Sequence, residues 1–388
     1  MSTTTRGSVC GLAGALALAG ALTLAAGGPA GAAPAGAGAW TETPTGQVSF
    51  SSLAQAGSVT WAGGDVIDTG SDSGSGFTPA MYRRDGGGAW QQVALDGADA
   101  WDSRINDIAT TADGSGFLVG DQPTDSQTTG QGMLVGRYRG GSWHLESDDA
   151  PPAGTVDASL GSVSALNGHD AWAVGGGYQQ DTWAQVPIVQ HWNGRQWQPV
   201  TIPGSTDWLL TQVDEVAPDD VWVVGVDNDS GESVAVHWDG QDWTRTPTPQ
   251  FADSSVLFDV VARTPDDVWA VGWSRDTDKQ RPAGLALHWD GTAWSQVPLP
   301  DGTFALQSAA LRPHGGLAVV GGNDDAAVGL SWTPAGGWQS LGLPENDPQL
   351  PLGVFAVASS GSHLTVSGWH YESSDFGDSF SSGVLLTR

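Results

Sequence analysis

The feature that most constrains this chain is a tryptophan-anchored repeat. Asp220-Val-Trp-Val-Val-Gly225 is followed by Val236-His-Trp-Asp-Gly240 and then Trp243. Asp267-Val-Trp-Ala-Val-Gly272 leads in the same way to Leu287-His-Trp-Asp-Gly291 and Trp294, and Asp170-Ala-Trp-Ala-Val-Gly175 to Gln190-His-Trp-Asn-Gly194 and Trp197. Weaker copies extend outwards. Val59-Thr-Trp-Ala-Gly63 leads to Tyr82 and Trp90, Gly116-Phe-Leu-Val-Gly120 to Tyr138 and Trp143, and Gly316-Leu-Ala-Val-Val-Gly321 to Trp332 and Trp338. A final copy opens at His363, runs to Val384-Leu-Leu386 and has no closing tryptophan of its own. Ala39-Trp40-Thr-Glu-Thr-Pro44 carries the missing pattern, so Trp40, Trp90, Trp143, Trp197, Trp243, Trp294 and Trp338 recur about every 50 residues, a propeller-blade period.

Each unit reads as four short strands. An inner strand such as Phe258–Ala262 turns at Thr264–Asp267 into the Val-Trp-Ala-Val strand. A longer polar loop leads to the His-Trp strand, and Asp-Gly or Asn-Gly makes a tight turn, expected with positive φ at both residues, into the last. The expected fold is all-β: a seven-bladed β-propeller of four-stranded blades, closed by the N-terminal strand completing the last blade. Closure removes the exposed sheet edges that an open stack would leave.

The repeat resembles the kelch class of propellers, which includes the galactose-oxidase-type central domain. Gly63-Gly64, Gly175-Gly176 and Gly321-Gly322 carry the double glycine of that class, followed by an aromatic before a turn and then a strand opening with Trp. The resemblance covers nearly the whole chain after the leader and implies a fold, not a function. A galactose-oxidase-like copper site needs a thioether-forming cysteine, absent beyond the leader. A sialidase-like site needs Asp boxes and an arginine cluster, and WD40 repeats need Gly-His and Trp-Asp signatures. None of these is present.

The N-terminus is read separately. Arg6 precedes an apolar run from Gly11 to Ala26, and Ala30-Gly31-Ala32 and Ala37-Gly38-Ala39 offer cleavage patterns. Residues 1–32 therefore read as a secretory signal peptide, cleaved near 32–39, with residues 39–388 as one propeller. The run is too short to span a bilayer, so a secreted, extracellular, monomeric protein without a membrane span is expected. Cys10, the one cysteine, lies in that leader, which leaves no disulfide or thiolate site. With 14 basic against 43 acidic residues, the net charge of −29 repels phosphate backbones and anionic lipid, so no nucleic-acid partner is expected.

Two candidate sites follow. The turns on one face of the disc are short and alike, whereas the other face carries long unlike segments: 65–79, 120–132, 176–187, 273–284 and 369–383. Function concentrates on such segments. The tryptophans outside the repeat, Trp101, Trp183, Trp208, Trp273 and Trp369, all fall in loops assigned to that face, with Tyr178, His370 and Tyr371 and the rare cations Arg104 and Arg275. Flat aromatic faces suit sugar rings or the side chains of a protein partner, and equally suit packing of their own loops. Along the axis, Ser51, Asn106, Asp214, Asp259 and Gln307 are expected at one recurring polar position. There Asn106, Asp214 and Asp259 would form an oxygen ring suited to Ca²⁺ or to structural water. No cofactor is otherwise implied.

No nucleophile, base and acid assemble in the sequence. The reading is a non-catalytic binding propeller for an extracellular glycan or protein. The alternatives are a glycosidase or lyase using carboxylates or His370 on the same face, and a scaffold without a specific ligand.

Overall fold

The computed structural model describes residues 39–388 apart from 69–75, 98–102, 124–130, 149–150, 152, 276–281, 323–325, 346, 348–349 and 375–376. The expected leader lies outside these residues. Strands dominate, with one 3₁₀ turn at Pro313–Gly315, and no described helix is long and apolar enough to cross a membrane.

Among the described residues the strands form seven antiparallel blades. Blade 1 is Val48–Ala56, Val59–Asp68, Gly76–Asp85 and Gln91–Val93; blade 2 is Arg104–Thr110, Gly116–Pro123, Gln131–Arg139 and Ser142–Asp148. Blade 2 alone gains a fifth, parallel strand, Leu95–Asp96, against Trp143 and His144. Blade 3 is Thr155–Asn167, Asp170–Gln179, Gln185–Trp192 and Trp197–Pro199; blade 4 is Trp208–Ala217, Asp220–Asp227, Ser233–Trp238 and Trp243–Arg245. Blade 5 is Ser254–Thr264, Asp267–Arg275, Ala283–Trp289 and Trp294–Gln296; blade 6 is Ala305–Arg312, Gly316–Gly322, Ala327–Thr333 and Gly337–Ser340. Blade 7 takes Leu352–Ser360, His363–Ser374 and Gly377–Thr387 from the C-terminal end and Thr41–Gly46 from the N-terminal side.

That last pairing closes the ring: Thr41 lies opposite Thr387 and Pro44 opposite Val384. Trp40 stands just before the closing strand and donates its indole N–H to the Leu341 carbonyl at 3.1 Å. Arg388 donates to the same carbonyl at 2.7 Å. The innermost strands touch in order around the axis, and Val48–Ala56 meets Leu352–Ser360 to complete the circle.

The spacing of the repeat has a packing cause. In blades 2 to 6 the tryptophan at the start of the fourth strand lies edge-on against the second-strand aromatic of the blade before it. Trp222 and Trp294 meet at 5.6 Å and 88°, Trp172 and Trp243 at 5.5 Å and 84°, and Trp61 and Trp143 at 5.6 Å and 86°. Edge-to-face pairs add about 1 kcal/mol each beyond burial. The repeat histidines are structural. His237 stacks on Trp222 at 4.4 Å, and its Nε2 meets Asp220 at 2.7 Å, while Asp220 also accepts the Trp222 indole N–H. His191 with Asp170 and His288 with Asp267 repeat the arrangement.

The Asp-Gly turns differ from the two-residue form expected. Trp238 pairs with Trp243, so four residues make the loop, and only Gly240 has positive φ (+90°). The Asp239 carboxylate accepts the N–H groups of Gln241 and Asp242, which supplies the second constraint that a left-handed residue would otherwise provide.

Candidate functional site

Strand connectivity places the second-to-third-strand connections and the links between blades on one face. Several segments read as loops there are continued hairpin arms. The second strand of blade 7 runs on to Ser374 and that of blade 3 to Gln179, so Trp369, His370, Tyr371, Trp273 and Tyr178 sit on strands. The ladder continues beyond the repeat glycine, with Trp369 opposite Gly353 and Gly383 and Tyr178 opposite Val156 and Gln185, where the sequence leads one to expect loops.

The described unpatterned aromatics do not converge on one pocket. Trp208 is 4% exposed and belongs to the blade 4 core beside Leu210 and Val234, with the Arg245 guanidinium 5.3 Å above its ring. Trp369 meets Phe355 edge-on at 4.8 Å. Trp273 is half-buried, with Arg275 at 5.8 Å from its ring. Trp101 lies outside the described residues, as does the side chain of Tyr371. His370 is held at both nitrogens, Nδ1 by the Leu350 carbonyl at 3.2 Å and Nε2 by Glu42 at 3.0 Å. It braces the closing strand.

Trp183 behaves differently. It is 65% exposed, the one large exposed hydrophobic side chain among the described residues, at the tip of the blade 3 hairpin. Its backbone is left-handed (φ +58°), a conformation a bulky residue rarely adopts. The tip is nonetheless pinned: Trp183 N–H donates to Gln179 O, Gln179 N–H to Ala184 O, and Gln180 N–H to Gly154 O, at 2.8, 2.8 and 2.9 Å. Tyr178 lies alongside at 6.4 Å between ring centres.

Strain gathers around it. Of four non-glycine residues with positive φ among the described residues, Trp183, Asp157 and Asp207 all lie on this face in blade 3 or its link to blade 4. Residues held in such conformations cost about 1–3 kcal/mol and cluster at functional sites. Sequence reading missed Asp157 and Asp207, because aspartate is ordinary in any turn. The sector continues into blade 4. Asn228 donates to Gln185 Oε1 at 2.6 Å and to Asp207 O at 3.1 Å, joining the two loops. Next to it a groove of about 190 Å³ is lined by Glu232, Arg245, Pro247, Pro249, Phe251 and Asp253.

A second group occupies the boundary of blades 1 and 2. Arg104 stacks on Phe77 at 3.5 Å. Asp65 accepts the Ile105 N–H at 3.0 Å, and burial, reinforced by the nearby Asp121 charge, pushes its carboxyl up to about 8.

Three of the five axial residues share one position and two do not. Every innermost strand carries a β-bulge: Ser51, Asn106 and Gln307 sit in it, whereas Asp259 lies one residue beyond its bulge and Asp214 three beyond. Side chains near these bulges fasten each blade to the next. Asn106 donates to Leu160 O at 2.9 Å, and Ser51 to Ile105 O at 2.6 Å. One residue on, Asp107 accepts Val163 N–H, Ser162 accepts Val213 N–H, Asp259 accepts Ala309 N–H and Ser308 accepts Val357 N–H. Asp214 accepts Ala262 N–H at 2.7 Å. Burial raises the Asp107, Asp214 and Asp259 carboxyls, the last two to about 6 and 7. No cluster of three or more His, Cys, Asp or Glu side chains among the described residues has metal-holding geometry.

No protein-family model and no curated protein matches the chain. Solved structures do. YCF48 bound to D1 peptide superposes with TM-score 0.53 at 16% identity, covering 90% of this chain and 96% of that one. The β-propeller domain of the Trilobed protease from Pyrococcus furiosus gives 0.51 at 7% identity, covering 86% and 97%. The GH74 xyloglucanase from Xanthomonas campestris gives 0.53 at 12% identity, covering 86% of this chain and 53% of that one. These likenesses establish the fold as a β-propeller and leave the kelch-like resemblance resting on the repeat residues alone.

Proposed function

We propose that this is a secreted, non-catalytic binding propeller that takes a segment of a protein partner on the blade 3 and 4 sector of its long-segment face. The observation that carries the reading is Trp183, an exposed ring on a strained but pinned hairpin tip. A strained backbone that displays a large apolar side chain to water is hard to explain by packing. That the YCF48 structure holds a peptide makes protein recognition reasonable for a propeller of this shape. The double glycines of the repeat support placing the chain with kelch-like propellers. Selection of a random peptide library on the full chain tests the function. Enriched peptides should lose binding to Trp183→Ala and keep it with Trp369→Ala. Enrichment indifferent to Trp183, or binding confined to a glycan array, would overturn it.

One observation favours a second reading, a carbohydrate-active enzyme. The raised Asp65 carboxyl beside Asp121 has the electrostatic character of a general acid with a charged neighbour. Release of reducing ends from xyloglucan or another β-glucan by the full chain, abolished in Asp65→Asn, would establish it. No release from a polysaccharide panel removes it.

A further inference from the structure

The binding sector has a charge that narrows its ligand. Residues 176–187, 203–208, 226–233 and 245–255 hold six carboxylates, Asp181, Asp207, Asp227, Asp229, Glu232 and Asp253, and one cation, Arg245. Arg245 is already engaged by Asp227 at 3.5 Å and Glu232 at 3.7 Å. Asp181 is exposed two residues before Trp183, and Asp229 and Asp253 are exposed as well. The nearby amides are committed to each other, Asn228 to Gln185.

We propose, resting on the binding reading above, that Trp183 and Tyr178 receive a lysine or arginine side chain of an extended protein segment. The indole and phenol faces present negative quadrupoles, which attract a cation held within about 6 Å of the ring centre. The carboxylates around it add attraction that an uncharged sugar does not feel and an anion feels as repulsion. The pinned tip means the ring is in place before the ligand arrives, which lowers the ordering cost of binding. The groove beyond, walled by Pro247, Pro249 and Phe251, gives the rest of such a segment apolar surface to lie on. A small free cation would have no use for it.

The test uses the full chain with ¹⁵N-labelled indoles, the Trp183 signal being assigned from Trp183→Phe. Acetyl-trilysine amide, acetyl-triglutamine amide and a xyloglucan heptasaccharide are titrated separately. The proposal expects trilysine to shift the Trp183 signal saturably. Measured by titration calorimetry, that binding should weaken about fivefold in Trp183→Ala, weaken in Asp181→Asn, and fall as salt is raised above 0.15 M, where the screening length is already down to roughly 8 Å. If trilysine binds Trp183→Ala as well as the parent chain, general attraction to an acidic surface is responsible and the proposal fails. If triglutamine or the heptasaccharide moves the Trp183 signal at least as readily, the cation preference fails while the site remains a binding site. If no probe moves it, this proposal and the binding reading of the sector fail together.

Discussion

The carboxylate of Asp259 accepts the backbone N–H of Ala309 at 2.7 Å, across the boundary between blades 5 and 6. Burial raises that carboxyl to about 7, and Asp214 to about 6 in the same role between blades 4 and 5. A carboxyl raised in the folded chain holds its proton more tightly there than when unfolded. Its contribution is therefore complete below about pH 4, falls by up to about 1.4 kcal/mol per pH unit above that, and is fully lost once pH passes the folded values near 6 and 7. Asp259→Asn should flatten this dependence, matching the parent near pH 4 and exceeding it near pH 8. Urea midpoints across that range check it, and parallel curves for the two proteins would refute the assignment.

Asp220 serves two partners at once, the buried Trp222 indole N–H at 2.9 Å and the half-buried His237 at 2.7 Å. Asp220→Ala strands both and should cost about 2–4 kcal/mol. Asp220→Asn keeps one acceptor and should cost about half as much. Denaturant unfolding of the two variants measures the difference.

At Trp183 the expected sign is reversed. Asparagine tolerates left-handed backbone far better than tryptophan, so Trp183→Asn should raise stability by about 1 kcal/mol while ligand binding is lost. A ring that anchored its own loop would instead lower stability when removed. Thermal unfolding decides between the two.

Removing the strand Thr41–Gly46 together with Trp40 should lower stability by several kcal/mol, because it strips the pairing along Thr387–Gly383 and bares the edge of blade 7. Equal urea midpoints for the trimmed and parent chains would show that closure contributes nothing.

Much of this architecture could be read from the repeat. The tryptophan spacing foretells the blades because Trp294 and its counterparts must reach the preceding blade, and the unmatched Trp40 foretells the closing strand. The axial positions were harder. A bulge leaves no residue signature: Ser51, Gly161, Thr211 and Phe258 all occupy one. Asn106 does occupy the bulge with Ser51 and Gln307, but Asp259 and Asp214 stand one and three residues past theirs, and a shift of an odd number of residues turns a side chain to the opposite face. Trp208 departs from expectation for a related reason. The blade 4 inner strand starts at Trp208 itself, so a residue read as a loop aromatic is the first buried position of a ladder. At the binding sector the aromatics were legible, whereas the strain at Asp157 and Asp207 was not, since it arises from how neighbouring segments pin each other.

Among the described residues the succession of inter-blade bonds thins at the last joint. The inner strand of blade 7 carries Ala356 where blades 1, 2, 3, 5 and 6 have Ser52, Asp107, Ser162, Asp259 and Ser308; blade 4 has Gln212 there and uses Asp214 instead, whereas alanine offers no side-chain acceptor to blade 1. Ser360 donating to Gly57 O at 3.0 Å is an exposed substitute at the rim. The ring thus has a clasp, located where the two ends of the fold are joined. Amide exchange should begin there, with the blade 1 inner strand losing protection before its counterparts, so that the disc breathes by parting at one joint while the recognition face on blades 3 and 4 stays whole.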